Sequence, residues 1–580
     1  MKKLPYIVFS PFSLIFAHSI PEMLILSQLN LPKNSVQIGC KGVLRRSCAF
    51  FESKFKDTVL TEERASRICK SCINCQKKIA KKNNLKYVPL EDLVEIGSIE
   101  EILKLVADTD NNELINLKEE NLNIGKIAAY ETILHYQKND LSFSGKILDE
   151  YKRYLISALI VAKALRKFFD KYKFRVLFVY NRLYSVNNTV ASLAEEKGIK
   201  LFSMHAGSNL SERLNWITVF RGDQKLHAKF LMMEWQKYNK IPISEDNITL
   251  IGKHLKTSLT GQSKFSYNHS KQKSMDIKKR FCIGANKKII VATLSSEDER
   301  FAADSIGKSI SKNNRVFSDQ SHWIKWLYKF AARNPDIHLI VRVHPRLENK
   351  NRKVQSKLVR EINKIRQREQ SNISFDFPKD KVSISNYMKN ANLLLNHHSS
   401  AALEFLTFGI PVLIWSENEQ VIPTDLMIVA KTKSDYEKKI HHLIEEKRNL
   451  KRTIFVYRWL ALKQLWCNIC LENKPILSLE TNYNYLNPYN LISHFMRNYA
   501  PVLFLSLALL PKYELRDKSV VQHFINSDEK TLLNLRKTEF IENLKYKEQI
   551  KINVTELMQR LDFNKVEIQR FVKELEDTSY

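Results

Sequence analysis

Residues 392 to 415 read N-L-L-L-N-H-H-S-S-A-A-L-E-F-L-T-F-G-I-P-V-L-I-W. Asn392 to Asn396 is a short apolar run, the pattern of a strand buried on both faces. Polar residues His397 to Ser400 follow at once. Ala401 to Phe408 has helical composition, Gly409 stops it, and Pro411 to Trp415 is a second buried strand. The unit is strand, turn, helix, strand, with its turn at the carboxyl end of the first strand, where open α/β sheets bind ligands. Ser399 and Ser400 are expected to cap the helix and turn hydroxyls and free N–H groups toward an anion, most simply a phosphate. Glu404 lies one turn later on the face of Ser400, where a carboxylate can accept from a ribose hydroxyl.

Working outward, His338 to Val343 is another buried strand, with Arg342 near its end and His344-Pro345-Arg346 just beyond. A proline there fixes the turn and prevents further pairing. It holds His344 and Arg346 at the sheet rim, where both suit phosphate contacts. Lys288 to Leu294 is the first strand of the same domain. Ser295-Ser296-Glu297 follows as a strand-end turn with hydroxyls and a carboxylate expected to face the cleft. His398 belongs to the same rim, and Glu417 follows the last strand.

R-V-H-P-R at 342–346 followed by N-H-H-S-S-A-A-L-E-x5-G-I-P-V resembles the bacterial capsule polysaccharide biosynthesis family. The resemblance extends through Leu294 to Glu299 and Phe317 to Ile324, and covers about residues 5 to 470. It implies an α/β fold of two Rossmann-like domains facing a cleft, the GT-B type, related to Kdo, sialic acid and glycerol-phosphate transferases. It implies a transferase that builds surface polysaccharide from a nucleotide-activated sugar, CMP- or UDP-linked, on a saccharide or lipid-linked acceptor. The donor side would be Ser295, Ser296, Glu297, Arg342, His344, Pro345, Arg346, His398, Ser399, Ser400 and Glu404. The catalytic base would come from His205, Glu212 or Asp223 of the first domain, with no cofactor required for catalysis. Family members often carry glutamate near the His205 position, and this sequence departs from them there.

The N-terminal half supports the second domain of that pair. An apolar stretch from Pro5, interrupted by Pro11, leads to His18 and Glu22, an amphipathic helix to Leu29 and a strand at Val36 to Ile38. Lys2-Lys3 and the following apolar run imitate a signal peptide, but the prolines and the continuing helix speak against one. Arg175 to Tyr180 and Lys200 to Met204 are further buried strands. Asn181 and His205 end them and, with His18, are expected at the cleft. Glu91 to Lys171 is mainly helical. The expected division is residues 1–257, a linker at 258–287, the nucleotide-sugar domain at 288–479, and a helical extension at 480–580.

The chain has 580 residues, room for two or three domains. Its net charge is +31, from 93 Lys and Arg against 62 Asp and Glu. No local segment interleaves basic residues with exposed aromatics, so nucleic acid is not the expected partner. Neither G-x-G-x-x-G nor a Walker A pattern occurs. No stretch reaches the ~18–20 apolar residues of a membrane span. A cytoplasmic protein attached peripherally to the inner face of the membrane is therefore expected, helped by basic helices and by Ala500 to Leu510. Cys40, Cys48, Cys69, Cys72 and Cys75 cluster in the first domain, and Cys69-x2-Cys72-x2-Cys75 is compact. Four of the five would suit a structural zinc; the alternative is a helix face of reduced thiols, since 69, 72 and 75 recur at i+3. Two other function classes fit parts of the pattern: a nucleotide-sugar epimerase, and a basic non-catalytic nucleic-acid-binding protein.

Overall fold

The computed structural model describes residues 4–55, 60–213, 215–262, 275–307, 315–347, 357–368, 370–417 and 422–471. Beyond these it describes 492, 495–497, 499–508, 515–516, 518–535 and 545–576. The strands are β1 (Tyr6–Phe9), β2 (Val36–Gly39), β3 (Lys86–Pro89), β4 (Val176–Tyr180), β5 (Lys200–His205) and β6 (Trp216–Arg221). They continue as β7 (Lys288–Thr293), β8 (Ile337–Arg342), β9 (Ile373–Asp376), β10 (Leu393–Asn396), β11 (Val412–Ile414), β12 (Ile428–Val429) and β13 (Ile469–Cys470). Two sheets result, ordered β13-β6-β5-β4-β1-β2-β3 and β12-β11-β10-β7-β8-β9. The second is parallel throughout; in the first, only β6 runs against its neighbours. β1, β4, β7 and β10 are buried at nearly every position, so their sequences are predominantly apolar rather than alternating.

The deciding stretch folds as read. β10 pairs with β11 through Leu394↔Val412 to Asn396↔Ile414, and the helix between them spans Ala401–Thr407. Gly409 follows at φ +70, in the left-handed region that an L side chain rarely adopts. Strands β3, β6, β9, β12 and β13 were not expected, because short or half-buried strands carry weak periodicity. The region read as mainly helical includes two short helices, Ile124–Ala128 and Tyr130–Tyr136, and a basic helix spans Lys357–Arg366 in the second domain. Residues 263–274 of the expected linker and 480–491 of the expected extension lie outside the described residues.

The chain does not finish in the second domain. After the helix Leu450–Ala461 and a π-helical turn, Leu462–Trp466, it returns to the first sheet, where β13 pairs antiparallel with β6. Later segments are also built into the core. Tyr6 donates to Asn526 at 2.7 Å, and Phe524 meets Phe202 edge-on at 5.4 Å. The helix Tyr546–Arg560 buries Ile550 and Val554 against the helix Glu245–Leu259. Its Asn553 comes so near Gly252 that an added Cβ there would stand 2.2 Å from the amide oxygen. The described helix Tyr546–Arg560 of the expected helical extension is thus part of the core. No described helix is long and apolar enough to cross a membrane.

Gly409 gives a direct test of the central unit. An alanine Cβ would meet the Asn449 backbone nitrogen at 2.7 Å and be strained in φ besides. Gly409→Ala should cost about 1–3 kcal/mol and lower the melting temperature by several degrees, read by calorimetry.

Candidate functional site

Parallel strands deliver their carboxyl ends to one edge, and at that edge the two sheets enclose a cavity of about 260 Å³. One wall comes from the second sheet. Arg342, at the end of β8, donates to the Val382 carbonyl at 3.0 Å and lies 3.5 Å from the Asp376 carboxylate, with its guanidinium over the Tyr387 ring. These contacts hold a permanent cation at the cavity, its charge partly offset by the Asp376 carboxylate. His344 follows, its Nδ1 accepting the Arg346 N–H at 3.3 Å, which leaves the proton of the neutral ring on Nε2. Burial, aided by the Arg346 charge, lowers its pKa to about 4. At neutral pH it is therefore a hydrogen-bond donor rather than a cation. Pro345, Ser399, Ser400 and Glu404 line the same wall.

The capping expectation is corrected in detail. Ser399 Oγ accepts the Ala401 N–H at 3.3 Å, but Ser400 is itself helical in backbone and its side chain caps nothing. The helix has only seven residues, too few to build a substantial dipole, so the two hydroxyls remain as the donors. Glu404 accepts from Ser258 Oγ at 2.9 Å, a contact reaching from the helix Glu245–Leu259.

Several expected donor residues do not line the cavity. Arg346 turns away to Asp298 at 2.6 Å and Glu299 at 3.0 Å, because two adjacent carboxylates hold a guanidinium better than open solvent does. Ser295 Oγ accepts the His398 N–H at 3.2 Å, while its own N–H donates to Gln320. Ser296 donates to the Asp298 carboxylate, and Glu297 accepts from the Gln320 N–H at 3.5 Å. The buried His398 ring faces His397 at 3.1 Å, and desolvation lowers its pKa to about 3. These residues shape the turns from behind. Glu417 is exposed.

On the first sheet, Tyr180 is stacked between His18, with centroids 4.0 Å apart, and His205, at 5.1 Å. Both imidazoles are neutral: burial lowers His18 to about 3 and moves His205 in the same direction. His205 Nδ1 lies 2.7 Å from the Ala206 carbonyl, so it carries the proton and Nε2 keeps a lone pair. Asn181 adopts a left-handed backbone and accepts from Leu183 and Gln224. Glu212 sits in the β5–β6 turn, its carbonyl accepting from Trp216, and Asp223 caps the helix Gln224–Tyr238 through the Leu226 N–H. None of these five side chains lines the cavity, although Ser208, three residues beyond His205, does. His254, Ser258, Lys463 and Gln464 also line it and were missed. They lie within helical segments, where nothing in a single sequence separates a cleft-facing polar residue from a solvated one.

Cys69, Cys72 and Cys75 share the helix Glu62–Lys82. Cys40, Cys48, Cys69 and Cys72 border one small apolar cavity, while Cys75 turns into the core. Burial raises all five thiols, Cys48 and Cys75 to about 12. Gly42 N–H and Gln76 Nε2 donate to the sulfurs of Cys40 and Cys72. Among the described residues no three His, Cys, Asp or Glu side chains converge as metal ligands, so this arrangement does not fit a zinc ion.

Two Rossmann-like sheets face one cleft. The architecture is of GT-B type. No protein-family model and no curated protein matches the chain. Similar solved structures include a beta Kdo 2,4 transferase, KpsC of Thermosulfurimonas dismutans, at 10% identity and a TM-score of 0.29, covering 49% of this chain and 79% of that one. UDP-GlcNAc 2-epimerase from Neisseria meningitidis, bound to UDP-GlcNAc, is 12% identical with a TM-score of 0.25, covering 79% and 98%. MnaA of S. aureus with UDP is 12% identical with a TM-score of 0.27, covering 79% and 91%. Likeness at this level bears on neither activity nor substrate.

The titratable groups predict a pH profile of stability. Burial lowers His18, His205, His227, His254, His338, His344, His397 and His398, so the unfolded chain binds more protons near and below pH 6.5. Stability should fall as pH drops through 6.5. Glu22 and Glu131 act oppositely, being raised to about 8 and about 7, and lose their contribution as pH rises through those values. The melting temperature, scanned from pH 5 to 9, should peak near pH 6.5–7; a maximum at pH 5 would contradict the buried neutral histidines.

Proposed function

We propose that the protein is a glycosyltransferase that draws a sugar from a nucleotide-activated donor to build a bacterial surface polysaccharide. One observation carries the reading: strand-end turns of the second sheet put Arg342, His344, Ser399, Ser400 and Glu404 on one wall of a cleft closed by the other domain. A permanent cation, a neutral imidazole donor and two hydroxyls suit a phosphate whose charge grows as the glycosidic bond breaks. Glu404, steadied by Ser258, would accept from the ribose. Of the three bases considered, none lines the cavity, and His205 is favoured by chemistry: its Nε2 keeps a lone pair that can take the acceptor hydroxyl's proton. Asp223 is committed to a helix cap.

His344→Ala and Ser400→Ala should each lower turnover about 10²-fold or more with little change in fold. Folded variants that retain full transfer activity would refute the site. The donor is tested by thermal shift against CMP, CDP, UDP and GDP, since a ligand of the native state raises the melting temperature. No shift with any of them would remove the nucleotide reading. Conversion of a nucleotide sugar without an acceptor would instead favour epimerisation.

The acceptor would be a saccharide or a lipid-linked glycan, reached at the inner face of the cytoplasmic membrane. The charge of +31 supports peripheral attachment, each lysine or arginine near an anionic surface adding ~1 kcal/mol. Co-sedimentation should occur with anionic vesicles at low salt and fade at high salt. Binding indifferent to both lipid charge and salt would rule out electrostatic attachment.

A further inference from the structure

Across the cleft from Arg342 and His344, the return segment of the chain contributes a second polar wall. Lys463 stands on the π-helical turn Leu462–Trp466 and lines the cavity, as does the next residue, Gln464. A π-turn is a rare and costly backbone form, found disproportionately at functional sites. No described group pairs with the Lys463 ammonium. Gln464 is 3% exposed, and its side-chain carbonyl oxygen is buried without a hydrogen-bond partner. Ser208 Oγ, on the same cavity, is likewise buried and unpartnered.

His254 completes the group. Its Nδ1 accepts the Leu210 N–H at 3.0 Å, so the neutral ring carries its proton on Nε2 as a donor. Lys463 is near enough to depress the His254 pKa further, beyond the effect of burial. The wall thus holds an ammonium, an imidazole N–H and a hydroxyl that no group among the described residues receives. A desolvated charge without a counter-charge is destabilising, and a fold retains one where a ligand repays it.

We propose that Lys463, with His254 and Ser208, binds a second oxyanion of the donor, separate from the phosphate at Arg342 and His344. The inference rests on the nucleotide-sugar reading and deepens it: the donor carries two anionic groups. The second is either the other phosphate of a nucleoside diphosphate or the carboxylate of an acidic sugar linked to a nucleoside monophosphate. Lys463 supplies charge, while His254 Nε2–H and Ser208 Oγ–H supply direction.

The test uses the full chain and the variants Lys463→Met and Lys463→Arg. Inorganic phosphate should raise the melting temperature of the wild type and of Lys463→Arg more than that of Lys463→Met, whose remaining response belongs to the Arg342 and His344 site. Without ligand, Lys463→Met should melt no lower than the wild type, since a desolvated unpaired charge has been removed. Calorimetry then separates the two sources. If UDP binds about 10-fold or more tighter than UMP, and Lys463→Met erases that difference, the second group is a phosphate. If CMP linked to a carboxylated sugar shows the Lys463-dependent gain over CMP instead, it is a carboxylate. Equal affinities in wild type and Lys463→Met for all these ligands, with the phosphate response intact, overturn the inference and leave the nucleotide site standing. If no nucleotide binds the wild type, the donor reading fails, and the inorganic phosphate arm alone decides whether Lys463 holds an anion.

Discussion

The antiparallel pairing of β13 with β6, Ile469↔Ile217 and Cys470↔Trp216, stitches the end of the second domain onto the sheet of the first. It comprises only two residue pairs, yet the rest of the cleft depends on it. To reach β6 the chain must pass between the two sheets, which places the helix Leu450–Ala461 and the π-turn on the cavity wall. The helix Tyr546–Arg560 reinforces the crossing by packing on both the helix Glu245–Leu259 and the helix Leu450–Ala461. Tyr457 and Gly252 both meet Asn553, so one residue near the end of the chain braces elements of both domains.

Within the cleft, charge is distributed by burial as much as by residue type. Arg342 and Arg346 are only four residues apart and serve opposite ends. Arg342 leans on a carbonyl, a ring and the Asp376 carboxylate and lines the cavity; Arg346 pairs with Asp298 and Glu299 and does not line it. The histidines around the strand ends are desolvated and neutral, so they contribute directed N–H groups and lone pairs rather than positive charge. Among the described residues this leaves Arg342 and Lys463, from distant parts of the sequence, as the Lys and Arg cations that line the cavity. Such a site is preorganised for oxyanions without the reorganisation that solvent would require.

What the sequence by itself determined is the sheet framework and its functional edge. Runs such as Leu393–Asn396, Ile337–Arg342 and Val176–Tyr180 are predominantly apolar, without the alternation of a half-exposed strand, and polar turns at their carboxyl ends mark the ligand edge. Arg342, His344, Ser399, Ser400 and Glu404 were legible for that reason. Tertiary structure alone decided which polar side chains at the edge point inward. Ser295, Ser296, Glu297, Arg346 and His398 share the rim yet are taken by neighbours from other elements, and partner choice depends on distances no single sequence encodes. The opposite wall was invisible for a related reason. Ser208, His254, Lys463 and Gln464 lie far apart in sequence, and only the two-residue pairing of β13 with β6, too short to leave a periodic signal, brings them to one cavity.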